Sequence, residues 1–253
     1  MSDLIPLYTD RGVPLPALVA LGEDEPSIED LFVFAREAEL RVSSLRLRIE
    51  ERSWNARGED IVWHEVLMRH PGKARVTTRR SQEPLSRDYE VWLSDGETIR
   101  TYRAASGLAS VRPWQPPVVG TQRSDLPGFA RTRPVLTQLP AGSVADAFVH
   151  PHGLFRNVLI SGPLEVLGTT QVAGREAIVV RSSHPRSTKV LTDRPDRRVD
   201  VGIDRGTGFL TLLIESVGDD VTHRAEVTSL ELDPDIPEEA FRLHLGSDAR
   251  MMY

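Results

Sequence analysis

The chain has 253 residues, 40% of them hydrophobic and 27% charged, a formal charge of −6 and no cysteine. That is an ordinary globular composition, which excludes a wholly disordered or fibrous chain, and it lacks the basic excess that drives non-specific nucleic-acid binding. Without cysteine there is no disulfide, thiolate nucleophile, Cys-ligated zinc, iron–sulfur cluster or lipidated N-terminal Cys.

The length fits one or two domains, and a β-rich unit of this size can be one. The longest clean apolar run, Val13–Gly22, is broken by Pro14 and Pro16 and falls short of the roughly 20 residues that cross a bilayer. Met1-Ser2-Asp3 offers no basic n-region. As written, the chain is expected in the cytoplasm; a periplasmic or extracytoplasmic location would require an upstream leader that has been removed.

Residues 1–26 are Pro- and acid-rich and read as an irregular arm. Ser27 then caps a helix, with Asp30 three positions on as a capping-box variant. Ile28, Leu31, Phe34, Ala35, Ala38 and Val42 make one apolar stripe, which predicts a helix over 27–42. Glu29, Asp30, Arg36, Glu37, Glu39 and Arg41 are expected on its polar side. The period then changes to two. Leu45, Leu47 and Ile49 alternate with Arg46, Arg48 and Glu50, the pattern of a half-buried strand. Strands follow at 61–69, 74–80, 89–94, 98–103 and 108–111, with His70-Pro71-Gly72-Lys73, Asp95-Gly96 and Ser106-Gly107 as reversals. One helix thus feeds about five consecutive antiparallel strands.

Residues 112–145 carry recurrent Pro and Gly and cannot sustain a ladder. Short helices are expected at 144–148 and 154–160, around His150-Pro151-His152-Gly153. Strands resume at 164–172, 176–182, 199–204, 209–217 and 221–232, before a close at Pro234–Phe241. About ten strands joined mostly by short turns predict one twisted antiparallel sheet, because parallel strands need crossover helices. A sheet this wide curls. The 27–42 helix and the 112–160 region are the segments available to cover its concave face. The fold class is α+β, mainly β.

Three landmarks in the second half have a familiar order: Val172–Val180 around Ala173-Gly174-Arg175; Val199–Leu210, containing Asp204-Arg205-Gly206-Thr207-Gly208; and Val227–Phe241, containing Pro237-Glu238-Glu239-Ala240-Phe241. In the first half, Tyr89–Arg103 around Asp95-Gly96 and His70–Val76 add two more. The order resembles the lipoprotein-carrier superfamily of LolA, LolB and RseB, with the lipid-binding LppX and LprG proteins, over roughly residues 27–245. The resemblance implies an incomplete, strongly curved antiparallel barrel with helices in its mouth, holding acyl chains or docking a partner. It implies one domain over 27–245, with 112–160 as a lid-like region and 246–253 as a tail. The sequence as written departs from the family's expected pattern, with no basic, apolar leader after Met1 and no Cys to lipidate.

A curled sheet too wide to fill its own interior would hold an apolar guest, a lipid or other hydrophobic small molecule, at about 0.8 kcal/mol per buried CH₂. Leu47, Ile49, Val91, Leu93, Leu212 and Ile214 are the candidate wall; the alternative is that they form a sealed core under the helix. Arg69, Lys73, Arg75, Arg79 and Arg80, with Arg87 nearby, make the densest positive patch. It is either a solvated strand face or a dock for an acidic protein partner or anionic headgroup, as in an RseB-like regulatory module.

His150 and His152, with His184, His223 or Asp146, are the residues from which a zinc site would be assembled, though Pro151 denies His150 helical two-ligand geometry. His64-Glu65 opens like a zincin helix, but Met68 stands where the second His belongs. No nucleophile elbow or phosphate-binding glycine loop is present. Asp200, Asp204 and Glu215 are candidate paired carboxylates, with Asp204 reading as a turn residue. The expectation is therefore a binding protein rather than an enzyme, with no cofactor and no metal.

Overall fold

A computed structural model describes residues 20–22, 24–83, 85–114, 135–157, 163–183, 196–243, 245 and 249–252. Most of the N-terminal arm, most of the Pro-rich loop and His184 lie outside them.

The leading helix begins where its cap predicts. Ser27 Oγ accepts from the Asp30 N–H at 3.1 Å, and α1 runs Ile28–Arg36. It ends earlier than the stripe suggests. Glu37 leaves helical geometry at φ −96°, ψ 5°, and a tighter 3-10 turn covers Ala38–Arg41. That change of pitch rotates the polar side inward. Glu37 and Glu39, expected among solvent-facing charges, are buried.

Twelve strands form one sheet: β1 Ser44–Asn55, β2 Gly58–Arg69, β3 Lys73–Arg79, β4 Tyr89–Asp95, β5 Thr98–Arg103, β6 Leu108–Pro113, β7 Leu164–Val172, β8 Arg175–Ser183, β9 Arg197–Asp204, β10 Leu210–Val217, β11 Asp220–Leu232 and β12 Arg250–Met252. Their order is β12-β6-β5-β4-β3-β2-β1-β11-β10-β9-β8-β7. The hairpins are those the turn residues predict. Ala173 and Gly174 both take positive φ at the β7–β8 turn, as a two-residue turn of that hand requires. Asp95 Oδ1 accepts from the N–H groups of Glu97 and Thr98 at the β4–β5 turn.

The order also contains a join that local pattern does not supply. β1 pairs with β11 across the chain, so the sheet is two meanders fused at the centre, with β6 and β7 at opposite ends. Eleven strands run antiparallel to their neighbours; the short β12 lies parallel to β6. β7 returns into contact with β11, although three strands lie between them in the order, so the second half curls strongly.

Asp204 explains one landmark. Its buried carboxylate accepts from the Thr207 N–H at 2.8 Å and the Thr207 hydroxyl at 2.6 Å, and takes a two-pronged bond from Arg175 at 2.7 and 3.0 Å. Gly208 follows at φ +84°, and a Cβ there would lie 2.8 Å from the Phe34 carbonyl. The turn needs glycine because α1 rests directly on it.

Candidate functional site

Strand registers settle which residues share a face. Leu47 stands opposite Val66, Val66 opposite Val76, and Val76 opposite Trp92. With Leu45, Ile49, Met68 and Val227, these make the inner, concave face. Three helices cover it: α1, α2 (Val144–Val149) and α3 (His152–Asn157). Their contribution is aromatic. Phe32, Phe148 and Phe155 are fully buried in the same core, and Phe32 stacks on Phe155 with ring centroids 4.4 Å apart. Helices α2 and α3 have six residues each, too short to be stable alone, so the cap is held by what it packs against.

Four of the six wall candidates share the core, Leu47, Ile49 and Leu212 within it and Ile214 packed against it; Val91 and Leu93 do not. Leu47 and Ile49 lie on the inner face. Leu93 stands opposite Arg75, and through Leu67 aligns with Arg46 on the outer face; Val91 lies with it, opposite Thr77. Leu212 stands opposite Glu226 and Ile214 opposite Arg224, yet Leu212 is buried in the core and Ile214 packs against it. The physical reason is that both faces of the sheet are partly covered, so alternation alone does not identify the inside. Register shifts at Arg48/Ile49 and Leu210/Leu212 add to the ambiguity.

The cover on the outer face is the chain's own close. A 3-10 turn at Glu238–Phe241 packs on β3 and β4, burying Ile236 and Phe241. The positive patch serves this contact. Glu238 pairs with both Arg69 and Lys73; Arg69 donates to the Ile236 carbonyl at 3.0 Å and lies over the Phe241 ring; Arg75 donates to the Ala240 carbonyl at 3.2 Å. Arg79 sits over the Tyr89 ring, and Arg80 pairs with Asp60 at 3.3 Å. Three of the five candidate cations thus grip residues 236–240 of the same chain.

Two polar clusters border the inner face. In the first, His150 Nδ1 donates to Asp146 Oδ1 at 2.9 Å and Nε2 donates to Glu39 Oε2 at 3.2 Å. Burial works against the charged imidazole, but Glu39 and Asp146 outweigh it and raise its pKa to about 9. The Glu39 carboxylate also accepts from the Leu136 N–H at 3.2 and 3.3 Å, and its backbone carbonyl faces His70 Nε2 at 3.1 Å. Burial lowers the His70 pKa despite Glu39. In the second cluster, Glu51 accepts from His64 Nε2 at 2.8 Å and His223 Nε2 at 2.9 Å, while His64 Nδ1 meets Thr78 Oγ1 at 3.1 Å. Burial raises the Glu51 pKa, but hydrogen bonds from the two histidines dominate and hold it down at about 2.

Of the proposed zinc residues, Asp146 and His150 meet, but in an ion pair completed by Glu39. Among the described residues no group of His, Asp and Glu has the arrangement of a metal site. Asp200 and Asp204 each take a two-pronged bond from an arginine, Arg181 and Arg175 respectively, and Glu215 pairs with Arg197. Glu39, Glu51 and His64 were not singled out as site residues by sequence reasoning. The four-residue spacing of Asp146 and His150 was the one local signal available.

No protein-family model matches the sequence, and no curated protein matches it significantly. Similar solved structures include the MucA/MucB complex of Pseudomonas aeruginosa, at 16% identity over 88% of this chain and TM-score 0.49. The chain spans 62% of the length of that MucB. A LolA superfamily protein from Nitrosomonas europaea aligns at 12% identity over 87% of this chain and 99% of its own, TM-score 0.33. The Mycobacterium tuberculosis lipoprotein LppX aligns at 13% identity over 83% and 99%, TM-score 0.41.

Proposed function

We propose that this chain is a non-enzymatic binding protein that takes an apolar ligand, a lipid or acyl chain, between the concave sheet face and its helical cap. One observation carries the reading. A continuous aliphatic surface from Leu45 to Val227 is closed not by a second sheet but by three short helices whose contribution is Phe32, Phe148 and Phe155. An aromatic plug on a lightly anchored cap is the part of a core that a flexible hydrocarbon can replace. Each CH₂ buried in its stead returns about 0.8 kcal/mol, so a long acyl chain offsets the displaced aromatic contacts. The Glu39–His150–Asp146 cluster ties α2 to the 3-10 turn after α1 and sets how readily the cap lifts.

The test is uptake of a fluorescent fatty acid by the full chain, with native mass spectrometry of the protein as isolated. Saturable uptake is expected, increased in Phe155→Ala, which opens the plug. If neither protein takes up the probe and neither carries lipid when isolated, the proposal fails. Recovery of a defined peptide bound beneath the cap would instead favour a partner-docking module.

A further inference from the structure

Charged residues on this sheet follow a rule. Where two stand directly opposite on neighbouring strands, they are usually of unlike sign and paired: Arg46 with Glu231, Arg48 with Glu65, Arg103 with Glu90, and Arg181 with Asp200. Among the described strand pairings, like charges meet in two places. One is Arg69 opposite Lys73, and there Glu238 bridges both cations. The other is on the outer face at the central β1–β11 join, where Glu50 stands opposite Glu226 and Arg52 opposite Arg224. Each arginine there pairs along its own strand, Arg52 with Glu50 at 2.6 Å and Arg224 with Glu226 at 2.5 Å. Arg52 also reaches Glu59 at 3.0 Å, and Trp63 Nε1 donates to Glu50 Oε2 at 3.1 Å.

These four side chains line a cavity of about 240 Å³. Its net charge is zero, but the backbone positions are sorted, two arginines at one end and two glutamates at the other, two residues or about 6.6 Å apart along the strands, with the side chains closing that gap in two ion pairs. Like charges directly opposite destabilise a sheet. Exchanging the two residues on one strand would remove that penalty with no change in composition. The arrangement suits a guest that brings the complementary dipole. The four side chains satisfy one another in two ion pairs, so a lone anion or a lone cation that entered would strip its partners of their counter-charges, whereas a molecule carrying both charges replaces both.

We propose that the cavity between Glu50, Arg52, Arg224 and Glu226 binds a small zwitterion, a phosphate and an ammonium joined by a two-carbon linker, with phosphate on the arginines and ammonium on the glutamates. The site lies on the face opposite the helical cap and does not depend on the reading above. The chemistry is shared by a free phosphoamine and a phosphoethanolamine lipid headgroup, and the experiment separates the two sources. Calorimetric titration of the full chain uses O-phosphoethanolamine, inorganic phosphate and ethanolamine as separate ligands; sedimentation uses phosphatidylcholine vesicles with and without phosphatidylethanolamine.

Saturable binding of O-phosphoethanolamine, at least tenfold tighter than either half alone, supports the proposal with a soluble ligand. Binding only to the phosphatidylethanolamine vesicles supports it with a membrane source. The strand exchange Arg224→Glu with Glu226→Arg puts unlike charges opposite one another, so it should raise the thermal midpoint while weakening binding at least tenfold. A second variant, Glu50→Gln with Glu226→Gln, keeps the arginines and should invert selectivity toward inorganic phosphate. No binding in either arm, equal binding of phosphate and zwitterion by the unmodified chain, or unchanged binding by the exchange variant overturns the proposal.

Discussion

Near the start of β1, Glu39 and Asp146 grip a single imidazole; toward its end, His64 and His223 grip a single carboxylate. The parts are the same and the proportions are reversed. With two acids to one base, the base carries the perturbation, and His150 stays protonated to about pH 9. With two bases to one acid, the acid carries it, and Glu51 stays ionised to about pH 2. In both clusters burial disfavours the charge and is outvoted by partners. Position separates their consequences. The first cluster ties two parts of the cap together, α2 and the 3-10 turn after α1, whereas the second lies within the sheet, across β1, β2 and β11.

The sharpest way to break the comparison is Glu39→Gln. It leaves His150 facing a neutral amide on one side within a buried site, and breaking a buried ion pair costs about 3–5 kcal/mol. Urea unfolding at pH 7 should show a loss of that order. The cap should loosen first, seen as earlier hydrogen exchange in α2 than in β1.

The next effect is the pH profile of the unmodified chain. The folded His150 pKa lies above its ordinary value of 6.5, so its contribution is complete below 6.5 and is lost as pH rises through about 9. The difference corresponds to up to about 3 kcal/mol by linkage. His70 acts with the opposite sign. Its pKa is lowered, so stability falls as pH drops below 6.5, where the unfolded chain gains a proton the fold resists. Together they place maximum stability near neutrality. His150→Gln should flatten the alkaline limb, and an unchanged limb would remove the cluster from the account.

Glu51→Gln is expected to cost less, about 1–2 kcal/mol, because the amide still accepts one hydrogen bond and the site is only partly enclosed. Its signature is on the acid side. Glu51, with its pKa lowered from 4.5, contributes stability present above 4.5 and lost as pH falls through about 2. The variant should therefore lose less stability than the parent between pH 4.5 and 2. Equal losses would mean that the histidines do not hold this carboxylate ionised.

These clusters also mark where the sequence was legible. The β4–β5 and β7–β8 hairpins were readable because each tight turn carries a glycine, Gly96 or Gly174, that takes positive φ without strain. The Ser27 cap was readable because its partner is three residues away. The β1–β11 join was not, since Leu47 and Leu230 stand opposite each other across more than 180 residues of intervening sequence. Glu39 was misplaced because one residue of altered geometry at Glu37 turns a polar helix position inward, which a constant 3.6 period does not register. Val91 and Leu93 were assigned to the cavity because their outer face is covered by Ile236–Phe241, more than 140 residues later in the chain. Short-range chemistry was visible; which face became the inside was decided by contacts too distant in sequence to carry a local pattern.

The smallest effect discriminates most finely. Asp146 meets His150 one helical turn away on α2, and its side chain keeps 30% of its exposure, whereas that of Glu39 keeps 8%. Asp146→Asn removes the more solvated of the two charges and leaves a hydrogen-bonding amide, so about 1 kcal/mol is expected at pH 7, below the Glu39→Gln loss. Both substitutions should move the alkaline limb to lower pH, because each removes one of the acids that keep His150 charged. If Asp146→Asn cost as much as Glu39→Gln, the i,i+4 pair on the helix rather than the long-range pair would be anchoring the cap, and α2 should then remain folded when the cap lifts.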